Sequence, residues 1–329
     1  MFSPTIAGMA VILLLMVLIT PPHLSYSTTT TTGLLNQTEV EAAGERRVDT
    51  DLYKNNPLVI VTTLANELET RINKSGAILE ITSRLPEVRL TPFANSSSPE
   101  LNGIPRDADM PKRKLAQDIL AADKDFEIVF FTMPNGDIYL AEPYSRQEKT
   151  VNNIAFRDYY KRALEIGDTY LSDVIISSST GRPQANLVVP IYSEEGDDDN
   201  SNATLSGLWA SGLNLTSLSK SLQSLNLTSA EERVVYVDGQ GQKFADSDSS
   251  QSILLAANTS NTSHNESSFA DLQAFRNAMN GQSGSTTEIV NGTTMLVSYH
   301  PVKAFSNVWA VLYIQQPPSS QAINSEQRE

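Results

Sequence analysis

An abbreviated repeat in the second half of the chain is the feature that most restricts the fold. In the first half, two strand-like runs, residues 128–133 and 137–141, flank a Pro-Asn-Gly turn. A similar hairpin returns from residue 234, with Asp-Gly-Gln-Gly at 238–241 as its turn. Asparagine, glycine and proline are the residues that tight turns prefer. The repeat therefore predicts two sheets of similar plan, one after the other.

The rest of each unit follows the same order. In the first unit a helix over 155–164 and strands over 170–176, 185–192 and 205–213 come after the hairpin. In the second unit a helix within 269–279 and strands around 296–301 and 308–311 follow. Trp209-Ala210 and Trp309-Ala310 stand at matching places. One short helix laid against an antiparallel sheet is the simplest arrangement for each unit.

Helices precede the first unit. Pro57 suits the first turn of a helix, and apolar residues then recur at roughly helical spacing as far as Leu85-Pro86: Val61, Leu64, Leu68, Ile72, Leu79 and Ile81. After a loop rich in Ser, Pro and Gly, Asp109 is placed to cap a second helix over 111–122. The first helix is too long to serve only as a cap on a small sheet.

The N-terminus carries an apolar segment, residues 6–19, with no basic residue before it. Ser25-Tyr26-Ser27 after Pro21-Pro22 fits a cleavage site, which indicates a signal peptide. The segment also fits an uncleaved membrane anchor, although it is short for a bilayer span. Both alternatives place the rest of the chain outside the cytoplasm, secreted or anchored to the cell membrane.

Composition excludes several functions. The formal net charge of -14 argues against nucleic acid as a partner. The chain has no cysteine, and His23, His264 and His300 stand far apart, so the sequence predicts no metal site and no cofactor. A Ser-x-x-Lys run at 217–220 lacks the partner motifs of a nucleophile, and Gly-Gln-Gly at 239–241 lacks a third glycine. We therefore predict that the protein is not an enzyme.

Two polar loops have alternative interpretations. The acidic run 193–200 has carboxylates that calcium prefers, but its spacing matches no defined calcium loop, so a solvated hairpin is favoured. Asn258, Asn261 and Asn265 each begin an Asn-x-Ser/Thr triplet in a polar loop, which makes them candidates for glycosylation.

The helix over 155–164 carries the residues best suited to a ligand. Arg157 supplies a planar fork of donors, and Tyr159 and Tyr160 supply aromatic walls with hydroxyl tips. Together they suit a small carboxylate. The alternative is that Arg157 pairs with Asp158 or Glu165 on a solvated surface and that the tyrosines are ordinary core residues.

Over residues 56–316 the sequence resembles the double Cache family, the extracytoplasmic sensor modules of chemoreceptors and histidine kinases. The motifs that carry the resemblance come in the family's order: residues 78–88, Asn135-Gly136, 157–160, 180–183 leading to 189–191, 236–241 and 308–311. The resemblance implies an α+β fold in which a long N-terminal helix is followed by two tandem PAS-like antiparallel-sheet subdomains.

The resemblance also implies a division of the chain. A signal peptide or anchor (1–27) and a polar linker (28–55) precede a stalk helix (56–90), a membrane-distal, ligand-binding subdomain (91–228), a membrane-proximal subdomain (229–316) and a polar tail (317–329). The tail offers no apolar segment, so we expect no output module and a separate membrane signalling partner. A homodimer through the long helix is also expected.

In the amino-acid-binding branch of the family, an arginine and neighbouring aromatics hold the ligand carboxylate, while a preceding tyrosine and a later aspartate hold the ammonium. Here Asn152 takes the place of the tyrosine, and Gly212 lies near the place of the aspartate. The resemblance thus implies a small organic acid rather than an amino acid. Tyr170 or Asp173 would supply an additional polar contact.

The predicted function is extracytoplasmic small-molecule sensing. The alternative is a structural or adhesive envelope glycoprotein that keeps the fold without a ligand.

Overall fold

The structure, a computed structural model, describes residues 56–192, 204–223, 225, 227, 232–248 and 268–317. Several predictions lie outside these residues: the signal peptide or anchor, the polar linker, the acidic loop 193–200, the three glycosylation candidates Asn258, Asn261 and Asn265, and the tail beyond residue 317. Within the described ranges, no helix is both long enough and apolar enough to cross a bilayer.

The described helices are α1 (Pro57–Ser83), α2 (Pro86–Arg89), α3 (Met110–Ala122), α4 (Tyr144–Gln147), α5 (Asp158–Ile166), α6 (Leu215–Gln223) and α7 (Gln273–Met279), with a 3-10 turn at Ala94–Ser96. The described strands are β1 (Phe126–Thr132), β2 (Ile138–Glu142), β3 (Tyr170–Leu171), β4 (Ile175–Ile176), β5 (Pro183–Gln184), β6 (Asn186–Tyr192), β7 (Leu205–Leu213), β8 (Arg233–Val237), β9 (Lys243–Asp246), β10 (Gly284–Val290), β11 (Thr293–Ala304) and β12 (Asn307–Gln315).

Two five-stranded antiparallel sheets share one plan. The first sheet has the order β2-β1-β7-β6-β3, and the second has the order β9-β8-β12-β11-β10. Counted along the chain within each sheet, both orders are 2-1-5-4-3. The predicted α+β fold with two tandem sheets is therefore confirmed, and the repeat in the sequence is a repeat of topology.

Helix α1 supports both sheets. It packs on β6 and β7 of the first sheet and on β11 and β12 of the second. Its apolar side chains at Val61, Leu68, Ile72 and Leu79 are buried in these contacts. α1 ends at Ser83 rather than continuing to residue 90, because Pro86 has no amide hydrogen to extend it and begins α2 instead.

The opposite face of each sheet is covered by a short helix. In the first unit, α5 buries Tyr159, Tyr160 and Ala163 against the sheet. In the second unit, α7 buries Ala274, Phe275 and Ala278 in the equivalent way. Each sheet is thus enclosed on both faces, which is what its nearly continuous apolar strands require.

Three elements differ from the predictions. The predicted strand over 170–176 is interrupted between β3 and β4, because Asp173 and Val174 bond to turns of the second sheet instead of to a neighbouring strand. The predicted helix over 155–164 begins only at Asp158, since Arg157 has extended backbone angles. Helix α6, which the predicted boundary at residue 228 assigns to the first unit, packs on β9 of the second sheet.

One close contact fixes α1 against the second sheet. Phe305, in the turn between β11 and β12, has a left-handed φ of 53°. Its ring lies so close to Gly76 of α1 that a Cβ at position 76 would lie 1.9 Å from Phe305 Cζ. Only glycine at position 76 admits the ring.

We expect Gly76→Ala to destabilise the protein by about 1–3 kcal/mol, because the ring must be displaced from a packed site. In a Phe305→Ala background the same change should be neutral or stabilising, since alanine gains about 0.5–1 kcal/mol over glycine inside a helix. Urea unfolding of the four proteins measures both effects. Equal destabilisation in both backgrounds would show that the ring is not the cause.

Candidate ligand-binding site

A cavity lies between the first sheet, the start of α5 and the hairpin formed by β4 and β5. Its apolar lining consists of Ile128, Phe130, Ile138, Ala141, Ile154 and Ile175, and its polar lining consists of Thr150, Arg157, Tyr159, Ser177, Ser178, Ser179, Gln184 and Asn186. The space between the lining atoms measures about 390 Å³ including the open mouth. Only about 30 Å³ of it is wide enough for the centre of a water molecule, which is room for one or two waters.

Arg157 is the charged residue of the lining. It stands at the N-cap of α5 with φ -71° and ψ 139°, so its side chain leaves the chain before the first helical turn. Its guanidinium carbon lies 5.0 Å from the centroid of the Phe156 ring. Within the described residues the guanidinium makes no hydrogen bond or ion pair, which leaves its donors available to a ligand.

The surface partners that the alternative interpretation gave to Arg157 are taken by other cations. Lys161 Nζ lies 3.9 Å from an oxygen of Asp158. Arg162 Nη1 lies 2.7 Å from Glu165 Oε2. Both pairs lie on the exposed side of α5, whereas Arg157 lines the cavity.

Tyr159 adds a second available donor. Its ring belongs to the core beneath α5. Burial raises the pKa of the Tyr159 phenol to about 12, and the charge of Arg157 only partly opposes this. The phenol is therefore protonated at physiological pH and keeps its donor. In the described part of the chain its hydroxyl has no hydrogen-bond partner.

The other three predicted residues do not line the cavity. Tyr160 donates its hydroxyl to the carbonyl of Pro134 at 2.6 Å, which ties α5 to the β1–β2 turn. Tyr170 packs at the edge of the same core. Asp173 lies at the junction with the second sheet, where it accepts a hydrogen bond from Asn307 Nδ2 at 2.9 Å. The structure thus brings together Arg157 and Tyr159.

Sequence reasoning missed the wall of the cavity opposite Arg157. This wall is the β4–β5 hairpin, which contributes Ser177, Ser178, Ser179 and Gln184. The signal was present in the Thr-Gly-Arg-Pro run at 180–183, which carried part of the family resemblance and forms the tip of the hairpin.

A partly buried cation, Arg146, supports this wall on the side away from the cavity. Arg146 donates to Ser179 Oγ at 2.7 Å and to Gln184 Oε1 at 2.8 Å. Its counter-ion is Glu127, with 3.7 Å between the charged atoms. Burial raises the pKa of the Glu127 carboxyl, and Arg146 opposes the shift. The charge of Arg146 is therefore committed to Glu127 and the hairpin.

No carboxylate is present in the described lining of the cavity. Gly212 of β7 lies beneath Gln184, and a Cβ at position 212 would lie 2.3 Å from Gln184 Nε2. Asn152 is exposed and does not line the cavity. Neither position supplies a negative charge for a ligand ammonium.

The second sheet fills the equivalent space. Gly212 pairs with Ile128 and Asn186, whereas at the matching place in the second sheet Leu312 pairs with Val235 and Tyr299. Both Leu312 and Tyr299 belong to the core beneath α7. Glycine at position 212 therefore leaves room for the Gln184 side chain, whereas leucine and tyrosine fill the matching place in the second sheet.

A second recess lies beside α3 and α4, and about 660 Å³ of it is wide enough for the centre of a water molecule. Its lining includes Arg106, Arg113, Glu142 and Tyr144. Arg113 Nη1 bonds to Glu142 Oε1 at 2.7 Å, and both side chains are buried, so these charges neutralise each other. Arg106, whose guanidinium carbon lies 5.7 Å from the centroid of the Tyr144 ring, makes no ion pair with a described residue.

We expect Gly212→Ala to destabilise the protein by about 1–3 kcal/mol, because the new methyl group must displace Gln184 from the cavity wall. Ser211→Ala is the matched control on the same strand. The Ser211 hydroxyl is buried without a hydrogen-bond partner among the described residues, so its loss should leave the protein as stable as the wild type or more stable. Chemical unfolding compares the two, and equal losses would contradict the close packing at Gly212.

Solved structures share this architecture. An extracellular ligand-binding receptor from Desulfohalobium retbaense has a TM-score of 0.53 at 12% identity, with coverage of 78% of this chain and 39% of that chain. The periplasmic sensory domain of the Campylobacter jejuni chemoreceptor Tlp1 has a TM-score of 0.54 at 13% identity, covering 80% and 94%. The ligand-binding domain of the Pseudomonas fluorescens chemoreceptor CtaA, solved with L-isoleucine, has a TM-score of 0.50 at 13% identity, covering 85% and 98%.

At these identities the similarity establishes the fold alone. This chain spans less than half of the solved Desulfohalobium retbaense receptor chain. No curated protein sequence matches it. The family model described as Cache domain, of the double Cache type, matches residues 46–325. Because that match covers most of the sequence, the chain belongs to the double Cache family.

Proposed function

We propose that this protein is an extracytoplasmic sensor domain that binds a small carboxylate in the cavity of its first sheet. The observation that supports the proposal is a pair of donors without partners among the described residues, the Arg157 guanidinium and the Tyr159 hydroxyl, in a cavity whose described lining has no carboxylate. Family membership supports the role as a ligand-binding domain rather than a catalytic one.

The chemistry of the lining favours an organic acid. A guanidinium presents two parallel N–H donors to the two oxygens of a carboxylate. The neutral phenol of Tyr159 adds a third donor. Ile128, Ile138 and Ile154 provide apolar walls for a short carbon chain. The described lining offers no anion to a ligand ammonium. It therefore suits an amino acid, such as the L-isoleucine in the Pseudomonas fluorescens structure, less well than an organic acid.

The cavity must widen to admit such a ligand. Its present width suits water, so a carboxylic acid of three or four carbons requires the wall at Ser177–Ser179 to move outward. This wall belongs to a hairpin of two-residue strands, which makes it the part of the lining with the least backbone pairing. Short acids are therefore favoured over bulky ones.

We expect calorimetry to detect binding of at least one acid from a panel of acetate, propionate, lactate, pyruvate and succinate, with weaker binding of alanine, isoleucine and γ-aminobutyrate. Arg157→Ala should weaken the bound acid by roughly 10- to 100-fold, since a hydrogen bond to a charged group contributes about 1.5–3 kcal/mol.

The matched control is Arg162→Ala, which removes a cation from the exposed side of the same helix. It should leave the affinity unchanged. Binding that survives Arg157→Ala, or that both variants weaken equally, would contradict the assignment of the carboxylate to Arg157.

The narrowness of the cavity favours a second candidate, a structural or adhesive envelope glycoprotein that has kept the fold without a ligand. A thermal-shift screen against small metabolites separates the two functions, because a ligand that binds only the folded state raises the melting temperature. We expect an acid that binds to raise the melting temperature of the wild type but not that of Arg157→Ala. A screen without any shift at millimolar concentrations would favour the second candidate.

The remaining expectations concern partners. A sensor of this kind passes its signal to a membrane partner, and two copies pair through α1. Most apolar side chains of α1 are turned toward the two sheets, but Leu58 and Ile81 are 38% and 37% exposed. Its other exposed residues include Asn66, Glu67 and Thr70. A homodimer along α1 would therefore pair mostly polar side chains, with Leu58 and Ile81 near the two ends of the helix.

A further inference from the structure

Two aspartates meet where the first unit contacts the second sheet. Asp173, which follows β3, accepts hydrogen bonds from the amide of Gly239 at 3.1 Å and from Gln240 Nε2 at 3.2 Å in the β8–β9 turn. It also accepts one from Asn307 Nδ2, at 2.9 Å, in the β11–β12 turn. The carboxylate of Asp173 in the first unit thus accepts hydrogen bonds from two turns of the second unit.

Asp238 makes the reciprocal contact. Its Oδ2 accepts a hydrogen bond from the amide of Val174 in the first unit at 2.9 Å. Its Oδ1 accepts from the amides of Gln240 and Gln242 within its own turn, at 3.0 and 2.8 Å. Each unit therefore holds the other through one carboxylate, and we call this pair of contacts the aspartate clasp.

The clasp brings together two like charges without a counter-ion. Asp238 is 1% exposed, and neither carboxylate forms an ion pair with a described residue. The titratable groups that the first unit places here are Asp173 and Tyr170, whose phenol has its pKa raised by burial and by the charge of Asp173. The two turns of the second sheet contribute the amides of Gln240, Gln242 and Asn307.

Gly239 shows how closely the two units approach. A Cβ at this position would lie 2.8 Å from Asn307 Oδ1 and 2.9 Å from Asp173 Oδ1. Asp173 is partly exposed, whereas Asp238 is buried and no described cation pairs with it. Protonation is therefore the way left to neutralise the Asp238 carboxylate.

We propose that the aspartate clasp is a proton-operated joint, in which uptake of one proton by Asp238 tightens the contact between the two units.

The direction follows from the environment of Asp238. Burial raises the pKa of its carboxyl to about 6, and the charge of Asp173 adds to the rise, while the hydrogen bonds from the amides of Val174, Gln242 and Gln240 oppose it. An exposed aspartate titrates near 4. Between about pH 4 and pH 6 the closed clasp therefore binds more protons than an opened clasp, in which Asp238 is exposed. Acidification from pH 7 to pH 5 therefore favours the closed clasp.

The clasp lies next to the start of the β4–β5 hairpin, which forms one wall of the cavity. Val174, which donates to Asp238, is followed directly by Ile175 of β4, and Ile175 lines the cavity. Ser172 accepts a hydrogen bond from the amide of Asn186, also in the lining, at 2.9 Å. A tighter clasp therefore holds one end of the β4–β5 hairpin more firmly, whatever ligand the cavity takes.

Urea unfolding of the full chain at pH 7 and pH 5 tests the joint. We expect the unfolding equilibrium constant of the wild type to fall about tenfold more over this range than that of Asp238→Asn, which cannot take up the proton. Asp271→Asn, which changes an exposed carboxylate before α7, is the matched control and should keep the wild-type profile. Parallel profiles for wild type and Asp238→Asn would overturn the proposal.

A second measurement covers the case in which Asp238→Asn does not fold. Hydrogen exchange of the wild type, corrected for the intrinsic pH dependence of exchange, reports on the two amides that cross the junction. The protection of Val174 and Gly239 should increase severalfold from pH 7 to pH 5. Unchanged protection at both amides would overturn the proposal without any variant.

Discussion

The structure depends on one helix that covers two sheets. A five-stranded sheet with apolar side chains on both faces is stable only when both faces are covered. Each unit has one covering helix of its own, α5 or α7, and α1 packs on both sheets, together with α3 on β1 and β2 of the first and α6 on β9 of the second. The fit between Gly76 and Phe305 at the second sheet, and the bond from Trp209 Nε1 to Thr82 Oγ1 at 3.0 Å at the first, fix α1 relative to each sheet. Neither unit is complete without this helix.

The two units show how a duplicated frame acquires one binding cavity. Strand order, the covering helix and the Trp-Ala pair on the last strand are the same in both. The two sheets differ in a few side chains on the face beneath the short helix. Gly212 and Asn186 in the first sheet are at positions equivalent to Leu312 and Tyr299 in the second. The larger side chains fill the core of the second sheet. In the first sheet Gly212 admits the side chain of Gln184, which lines the cavity beside Arg157 together with Asn186.

Much of the fold was predictable because turn residues and the spacing of apolar residues along the sequence indicate it locally. The hairpins follow from their glycine turns, the strand 205–213 coincides with β7, and the apolar spacing of α1 gives its extent to within a few residues of Ser83. Arg157 was identifiable because a planar cation beside two tyrosines is chemically distinctive. The role of Asp173 was not predictable, because its partners Gly239 and Asn307 are far away in the chain, and no local pattern records a contact between units. The serines of the cavity wall were missed for a related reason, since serine is common in loops and gains its significance only from the neighbours that the fold provides.

The two tryptophans of the chain lie in different surroundings, one in each sheet, and this affects the fluorescence of the protein. Trp209 and Trp309 are both fully buried, one in each sheet, yet the indole of Trp209 bonds to Thr82 while Trp309 Nε1 has no hydrogen-bond partner among the described residues. The wavelengths of maximum emission of the two tryptophans should therefore differ, because a hydrogen bond to an indole changes the energy of its excited state. A single Trp→Phe replacement leaves one tryptophan per molecule, and its emission reports on the surroundings of one sheet.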